Sequence, residues 1–265
     1  MSESELWVCY IGQIDYRSAL ELQERLRTAR QQELIPDTLL LLEHPRVYTR
    51  GRRSQPGELT MADAFYESQG IEIITTNRGG KVTYHGPGQL VGYPIVQVTD
   101  VVAYVRLLEQ ALVVALKDEG IFARSRPEEG PDYTGVWVED RKIASIGVHV
   151  AKGVTTHGFA VNVDNDLTPF SWVVACGLPS VTMTSIALES ASPPPGGEAV
   201  GNQTDGTSVQ LACGPASPRL ICFRKRAAFA LAQALGHRQR LVTRERLENA
   251  AAADVVGAIS TLGVR

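Results

Sequence analysis

Residues Arg78-Gly79-Gly80-Lys81-Val82-Thr83-Tyr84-His85-Gly86-Pro87-Gly88-Gln89-Leu90 hold four glycines and a proline within thirteen positions. Backbone lacking side chains can pass close to a ligand, because nothing fills the intervening space. Between the glycines stand Arg78, Lys81, Thr83, Tyr84, His85 and Gln89, a dense set of polar groups. The flanking runs 71–75 and 90–96 read as strands from their β-branched and aromatic content. A polar, glycine-rich loop between two buried strands is where a sheet presents a site. The loop matches neither G-x-x-x-x-G-K-[ST] nor G-x-G-x-x-G, so it is not a standard phosphate cradle. A tight structural turn would not need so many reactive side chains.

The chain has 265 residues, enough for one large domain or two small ones. Its 44% hydrophobic and 21% charged content is that of a soluble globular protein with a sizeable core. A net charge of −3 argues against a dedicated nucleic-acid binder. No apolar run approaches the roughly 18 residues of a spanning helix, so no membrane role is expected. The start, Met1-Ser2-Glu3-Ser4-Glu5, lacks the basic-then-apolar order of a signal peptide, which makes a cytoplasmic location the default. Cys9, Cys176, Cys213 and Cys222 form no C-x-x-C pair, so free thiols are expected rather than a zinc site.

Along the chain, a strand at 6–11 leads to a helix at 16–33 capped by Asp15, with Leu22, Leu26 and Ala29 recurring on one face. A buried strand at 38–43 precedes a basic loop with Arg46, Arg50, Arg52 and Arg53, then a short helix at 61–69 ending at Gly70. A helix at 101–119, capped by Thr99 or Asp100 and closed by Gly120, is rich enough in valine and leucine to suggest packing on more than one side. Strands at 134–138, 142–150 and 154–163, joined by turns, read as an antiparallel meander. Residues 164–180 are irregular. Residues 189–219 are rich in Pro, Gly, Ser and Thr and read as a flexible insertion. C-terminal helices at 224–235 and 244–253 flank a short strand at 239–242 and read as a small appendage. The fold class expected is α+β, with a mixed, largely antiparallel sheet flanked by helices, and residues 1–265 forming one catalytic domain.

Cys176 lies on a turn before Gly177 and Pro179. A cysteine among apolar residues is most often a small core residue, but a turn offers the exposure that a nucleophile needs, given a cation to stabilise its thiolate. Lys142 is the candidate cation; an exposed hairpin lysine is the alternative. Ser145 and Gly147, with Gly158 and Ala160 around Phe159 on the next strand, are small residues that suit either the wall of a narrow apolar channel or closely packed sheet layers. The five histidines are scattered and offer no metal-ligand spacing, so no metal is expected. His85 is either a substrate-orienting group or a satisfied structural histidine.

The glycine loop, extended through Val91-Gly92-Tyr93-Pro94, closely resembles the signature of bacterial lipoyl(octanoyl) transferases. Arg141-Lys142-Ile143-Ala144-Ser145-Ile146-Gly147-Val148-His149 and His157-Gly158-Phe159-Ala160-Val161-Asn162 fit the family's next two blocks, and Ala175-Cys176-Gly177 followed by Thr184-Ser185-Ile186 resembles its nucleophile block. The resemblance covers most of residues 6–188. It implies the fold of biotin and lipoate protein ligases. It implies transfer of an octanoyl group from acyl carrier protein to a lysine of lipoyl domains of 2-oxoacid dehydrogenase complexes and of the glycine cleavage H protein, without a cofactor. Carried over, Cys176 is the acyl-thioester nucleophile and Lys142 its partner. Arg78, Gly79, Gly80, Lys81, Val82, Thr83, Tyr84, His85, Ser145, Ile146, Gly147, Gly158, Phe159 and Ala160 then line the acyl pocket. An ATP-dependent lipoate or biotin ligase and an amidotransferase working between lipoyl domains are the alternatives. Residues 189–219 look longer and looser than the family's usual connection.

Overall fold

The structure, a computed structural model, describes residues 4–174, 177–178, 181–191 and 216–261, with side chains described up to residue 252. Cys176, Cys213 and positions 192–215 of the expected insertion lie outside the described residues.

Strand β1 (Glu5–Gln13) enters helix α1 (Tyr16–Gln31) through Asp15, whose carboxylate accepts the N–H of Ser18 at 2.9 Å. Then come β2 (Asp37–Glu43), β3 (Val47–Arg50), α2 (Asp63–Ser68), β4 (Glu72–Thr75), β5 (Thr83–His85) and β6 (Gln89–Ile95). Helix α3 (Val101–Lys117) starts at Asp100, which accepts the N–H groups of Val102 and Ala103. The hairpins β7 (Gly135–Val138), β8 (Arg141–Ala151) and β9 (Val154–Asn162) follow as the expected antiparallel meander. The chain continues through β10 (Thr182–Met183), α4 (Ile186–Ala191), α5 (Pro218–Leu235), β11 (Arg238–Leu241) and α6 (Arg244–Thr261).

Among the described residues, eight strands form one mixed sheet in the order β10-β8-β9-β6-β2-β1-β11, with β7 paired to β8. Strand β1 is parallel to both β2 and β11; β2-β6, β6-β9 and β8-β9 are antiparallel. The leucine run of β2 is buried along its whole length because it is covered on both faces. Leu39 and Leu41 join Leu6 and Val8 under α3 and α5, whereas Leu40 and Leu42 join Trp7 and Cys9 under α1 and Leu247 of α6. A second sheet, β4-β3-β5, packs Tyr48, Tyr66, Tyr84 and Phe170 into an aromatic cluster with ring centroids 5.3–5.5 Å apart.

Several expectations change. The basic loop contains β3, and the glycine loop contains β5. Helix α3 buries one face only; Val102 on its other side is 68% exposed. Residues 189–191 finish α4, and the helix expected from 224 starts at Pro218 behind its cap Ser217. That helix is no appendage: Leu220, Phe223, Ala227 and Leu231 are buried in the core beside α3. Cys222 lies on it, exposed.

Candidate functional site

A cavity of about 500 Å³ opens between the glycine loop, the middle of β8 and β9, the start of α3 and residues 127–134. That volume falls within the roughly 300–1,000 Å³ of small-molecule sites. Arg78, Gly79, Gly80, Lys81, Val82, Thr83, His85, Lys142, Ser145, Ile146, Gly147, Gly158, Phe159 and Ala160 all line it. Tyr84 does not. Side chains alternate along β5, so Thr83 and His85 face the cavity while Tyr84 turns into the aromatic cluster. The Thr83 hydroxyl is buried with no hydrogen-bond partner among the described residues.

The glycine loop is clamped from two sides. Arg52 and Arg53 donate their backbone N–H groups to the carbonyls of Arg78 and Gly80 at 2.9 and 3.0 Å, and Gly79 donates to Val148 of β8 at 2.9 Å. A Cβ at Gly147 would stand 2.7 Å from the Gly79 carbonyl oxygen, so only a bare backbone lets the loop lie against β8 there. A Cβ at Gly158 would strike the Gly92 carbonyl oxygen in the same way. The small residues of β8 and β9 thus serve both readings at once, closing the sheet's packing and forming the cavity wall. The buried guanidinium of Arg78 donates to the carbonyl of Thr49 at 2.6 Å, to its Oγ1 at 2.7 and 3.1 Å, and to the Gly79 carbonyl at 3.0 Å.

Lys142 is 2% exposed, not the solvated hairpin residue of the alternative reading. Its Nζ lies 5.1 Å from the centroid of the Trp137 ring, within cation–π range. The pairing of β7 with β8 shifts register, Val136 facing Ala144 while Trp137 faces Lys142, which leaves Ile143 as an extra residue. In a regular strand, residues three apart point to opposite faces. This bulge puts Lys142, opposite Trp137, on the same face as Ser145, opposite Gly135.

Scattered in sequence, His44, His85 and His157 gather with Tyr16 and Tyr93 below the cavity, the nearest pair, Tyr16 and His44, having centroids 5.0 Å apart. Tyr16, Tyr93, His85 and His157 line the cavity itself. Gln89 donates its amide to Tyr84 O and Asn162 Oδ1, so its Oε1 accepts the Nδ1–H of His85 at 2.8 Å. His85 Nε2 faces the Thr49 hydroxyl at 3.5 Å, so both ring nitrogens have protein partners. Burial first, then His44 and Arg78, hold His85 well below the usual histidine range. Burial likewise lowers His44 to about 4 and His157 to about 3, so all three rings are neutral at pH 7. Among the described residues no cluster of three or more His, Cys, Asp and Glu side chains could hold a metal ion.

Asp132 ties the mouth together, its carboxylate forming an ion pair with Arg53 Nη1 at 3.0 Å and accepting a hydrogen bond from Lys81 Nζ at 3.3 Å. A Cβ at Gly177, the residue that follows Cys176 in the sequence, would overlap the Lys81 side chain, so the cavity rim at Lys81 lies against Gly177. Cys9 is the buried core thiol expected, and burial raises it to about 11. Sequence reasoning missed the wall made by Val101, Val102, Val105 and Arg106 of α3 and by residues 127–134. Val101 and Val102 are 43% and 68% exposed, and apolar residues left in solvent at a helix start were the one available signal.

The model of the lipoyl protein ligase A/B catalytic domain matches residues 15–199. An octanoyltransferase of Solibacter usitatus is 51% identical over 187 residues, covering 68% of this chain and 83% of that protein. One from Mycobacterium avium is 45% identical over 192 residues, covering 69% and 77%. In three dimensions, the bi-partite lipoate protein ligase of Thermoplasma acidophilum superposes with a TM-score of 0.64 at 17% identity, covering 95% of this chain and 91% of that one. A lipoate-protein ligase A crystallised with ATP gives 0.62 at 17%, covering 94% and 92%. These two likenesses show a shared fold, an α+β architecture with a mixed sheet flanked by helices. With the family model matching residues 15–199 and half of the 187 aligned residues identical to those of the Solibacter usitatus octanoyltransferase, this chain belongs to the lipoyl protein ligase A/B catalytic-domain family, among its octanoyltransferases.

Proposed function

We propose that this chain transfers an octanoyl group from an acyl-carrier-protein thioester to a lysine of lipoyl domains, through a thioester on Cys176, with Lys142 as the acid–base partner. The observation that carries this reading is Lys142, a buried residue in the wall of a largely apolar cavity whose rim at Lys81 touches the residue after Cys176.

A free thiol with a pKa near about 8.5 is only slightly ionised at pH 7, and a neighbouring ammonium favours the thiolate. The Cys176 thiolate attacks the donor carbonyl; the C–S bond to the carrier breaks, and the departing thiolate takes its proton from the Lys142 ammonium, leaving Lys142 as a neutral amine. The acyl-cysteine carries similar energy to the donor, so no ATP is consumed. The neutral amine of the target lysine then attacks, the bond to Cys176 breaks, an amide forms, and the proton lost by nitrogen returns to the Lys142 amine, restoring the thiolate and the ammonium. The unpartnered hydroxyl of Thr83 is suited to donate a hydrogen bond to the carbonyl oxygen of the reacting thioester. Arg78, Gly79, Gly80, Lys81, Val82, His85, Ser145, Ile146, Gly147, Gly158, Phe159 and Ala160 enclose the acyl chain. The Thermoplasma acidophilum ligase was studied with its E2 lipoyl domain, which supports lipoyl domains as acceptors. No helix among the described residues is long and apolar enough to cross a membrane.

Intact-mass spectrometry after mixing with octanoyl-carrier protein, without ATP, should show one octanoyl adduct. Cys176→Ala should lose it, and Lys142→Ala should slow transfer at least about 10²-fold, the usual scale of a general acid–base contribution. An adduct on Cys176→Ala, or transfer that requires ATP, rejects this route.

A further inference from the structure

Glu109, in the third turn of α3, is completely buried (0% exposed). A carboxylate taken out of water is costly unless its oxygens are bonded, and both are. Oε1 accepts the backbone N–H of Gly135 at 2.9 Å, and Oε2 accepts Nη1 of Arg106 at 2.6 Å. Gly135 opens β7 with φ +137°, a conformation that side chains disfavour. A Cβ there would lie 2.8 Å from Lys142 Cε and 3.4 Å from its Nζ, and would run into the Ala144 carbonyl. The stem of Lys142 therefore rests on bare backbone, and the side chain that grips this backbone through the Gly135 N–H is Glu109. The same carboxylate holds Arg106, which lines the cavity on its α3 side. An ordinary helix-to-strand contact here would be served by an apolar side chain without the desolvation cost.

We propose that Glu109 is a positioning residue for octanoyl transfer: by holding Gly135 it fixes the platform on which Lys142 lies, and so the placement of the ammonium above Trp137. This rests on the role given to Lys142 above. The prediction separates length from charge. Glu109→Gln keeps an acceptor at the reach of Gly135, whereas Glu109→Asp keeps the charge but falls short of it.

The test measures steady-state octanoyl transfer from octanoyl-carrier protein to a lipoyl domain. Glu109→Ala and Glu109→Asp should lower kcat about 10- to 100-fold, the scale of a misplaced catalytic group, with KM for the donor within about twofold. Glu109→Gln should recover most of the rate. In a Lys142→Ala background, Glu109→Ala should add no further loss, because an effect passing through Lys142 vanishes with it. An equal loss in both backgrounds, an unchanged kcat, or Glu109→Asp faster than Glu109→Gln would overturn the proposal. If Glu109→Ala fails to fold, the order of the other two variants decides. Cys176→Ala is assayed beside them. Its inactivity together with insensitive Glu109 variants rejects this role alone, whereas transfer by Cys176→Ala rejects the site reading beneath it.

Discussion

Three neutral imidazoles packed beneath the cavity set how the protein responds to acid. Folded, His44 takes up its proton only near about 4 and His157 near about 3, against 6.5 for the ordinary side chain, and burial is the larger cause in both. Between those limits the unfolded chain binds more protons than the folded one. Stability is therefore full above about pH 6.5, falls as pH drops through that value, and levels off once the folded rings protonate. Each histidine contributes a slope of up to about 1.4 kcal/mol per pH unit within its window. Urea unfolding at pH 7, 6 and 5 should give successively lower midpoints, and His157→Asn should flatten the trend. Equal midpoints from pH 7 to 5 would show these rings to be accessible. The sequence names the histidines but not their meeting, because positions 44, 85 and 157 come together only when β2, β5 and β9 are assembled. Tyr84 teaches the same at single-residue scale. Reading residues 78–85 as an open loop gives every side chain to the cavity; once residues 83–85 pair with β3, alternation sends Tyr84 the other way.

At the scale of elements, what repeats locally was legible and what depends on a partner was not. Asp15 and the Leu22, Leu26 and Ala29 stripe define α1, and alternation defines the β7-β8-β9 meander, both from nearest neighbours alone. The bulge at Ile143 leaves no mark, since Lys142-Ile143-Ala144-Ser145 reads as an ordinary alternating strand; parity alone would put Lys142 and Ser145 on opposite faces. Helix α5 was misjudged because it follows a low-complexity stretch, yet its Phe223 is 0% exposed in the core shared with α3. Phe223→Ala should accordingly destabilise the protein by about 3–5 kcal/mol, the cost of emptying a buried aromatic site. Denaturant unfolding checks this, and a loss under about 1 kcal/mol would return α5 to the status of an appendage.

Across the whole molecule the charge is uneven: the chain carries −3 overall, while Arg46, Arg50, Arg52 and Arg53 sit exposed beside the strand that clamps the glycine loop. Part of that charge is used internally, since Arg46 lies 3.6 Å from Asp166 and Arg53 3.0 Å from Asp132. Arg50 and Arg52 remain on the surface next to the loop, where a carrier of opposite sign would approach. A field of this kind acts on encounter, not on the reaction inside the cavity. At 0.1 M salt it is screened within about 10 Å, and at 1 M within about 3 Å. If an acidic carrier protein delivers the acyl group, kcat/KM with that donor should fall about tenfold or more between low and high salt, the lower end of electrostatic steering. A small uncharged octanoyl thioester lacking the protein should show little change, because it carries no charge for the field to act on. Arg50→Glu with Arg52→Glu should remove the salt dependence for the protein donor and leave kcat with the small thioester unaltered. Parallel salt profiles for the two donors would mean that the arginine face is merely solvated and that docking lies elsewhere on the molecule.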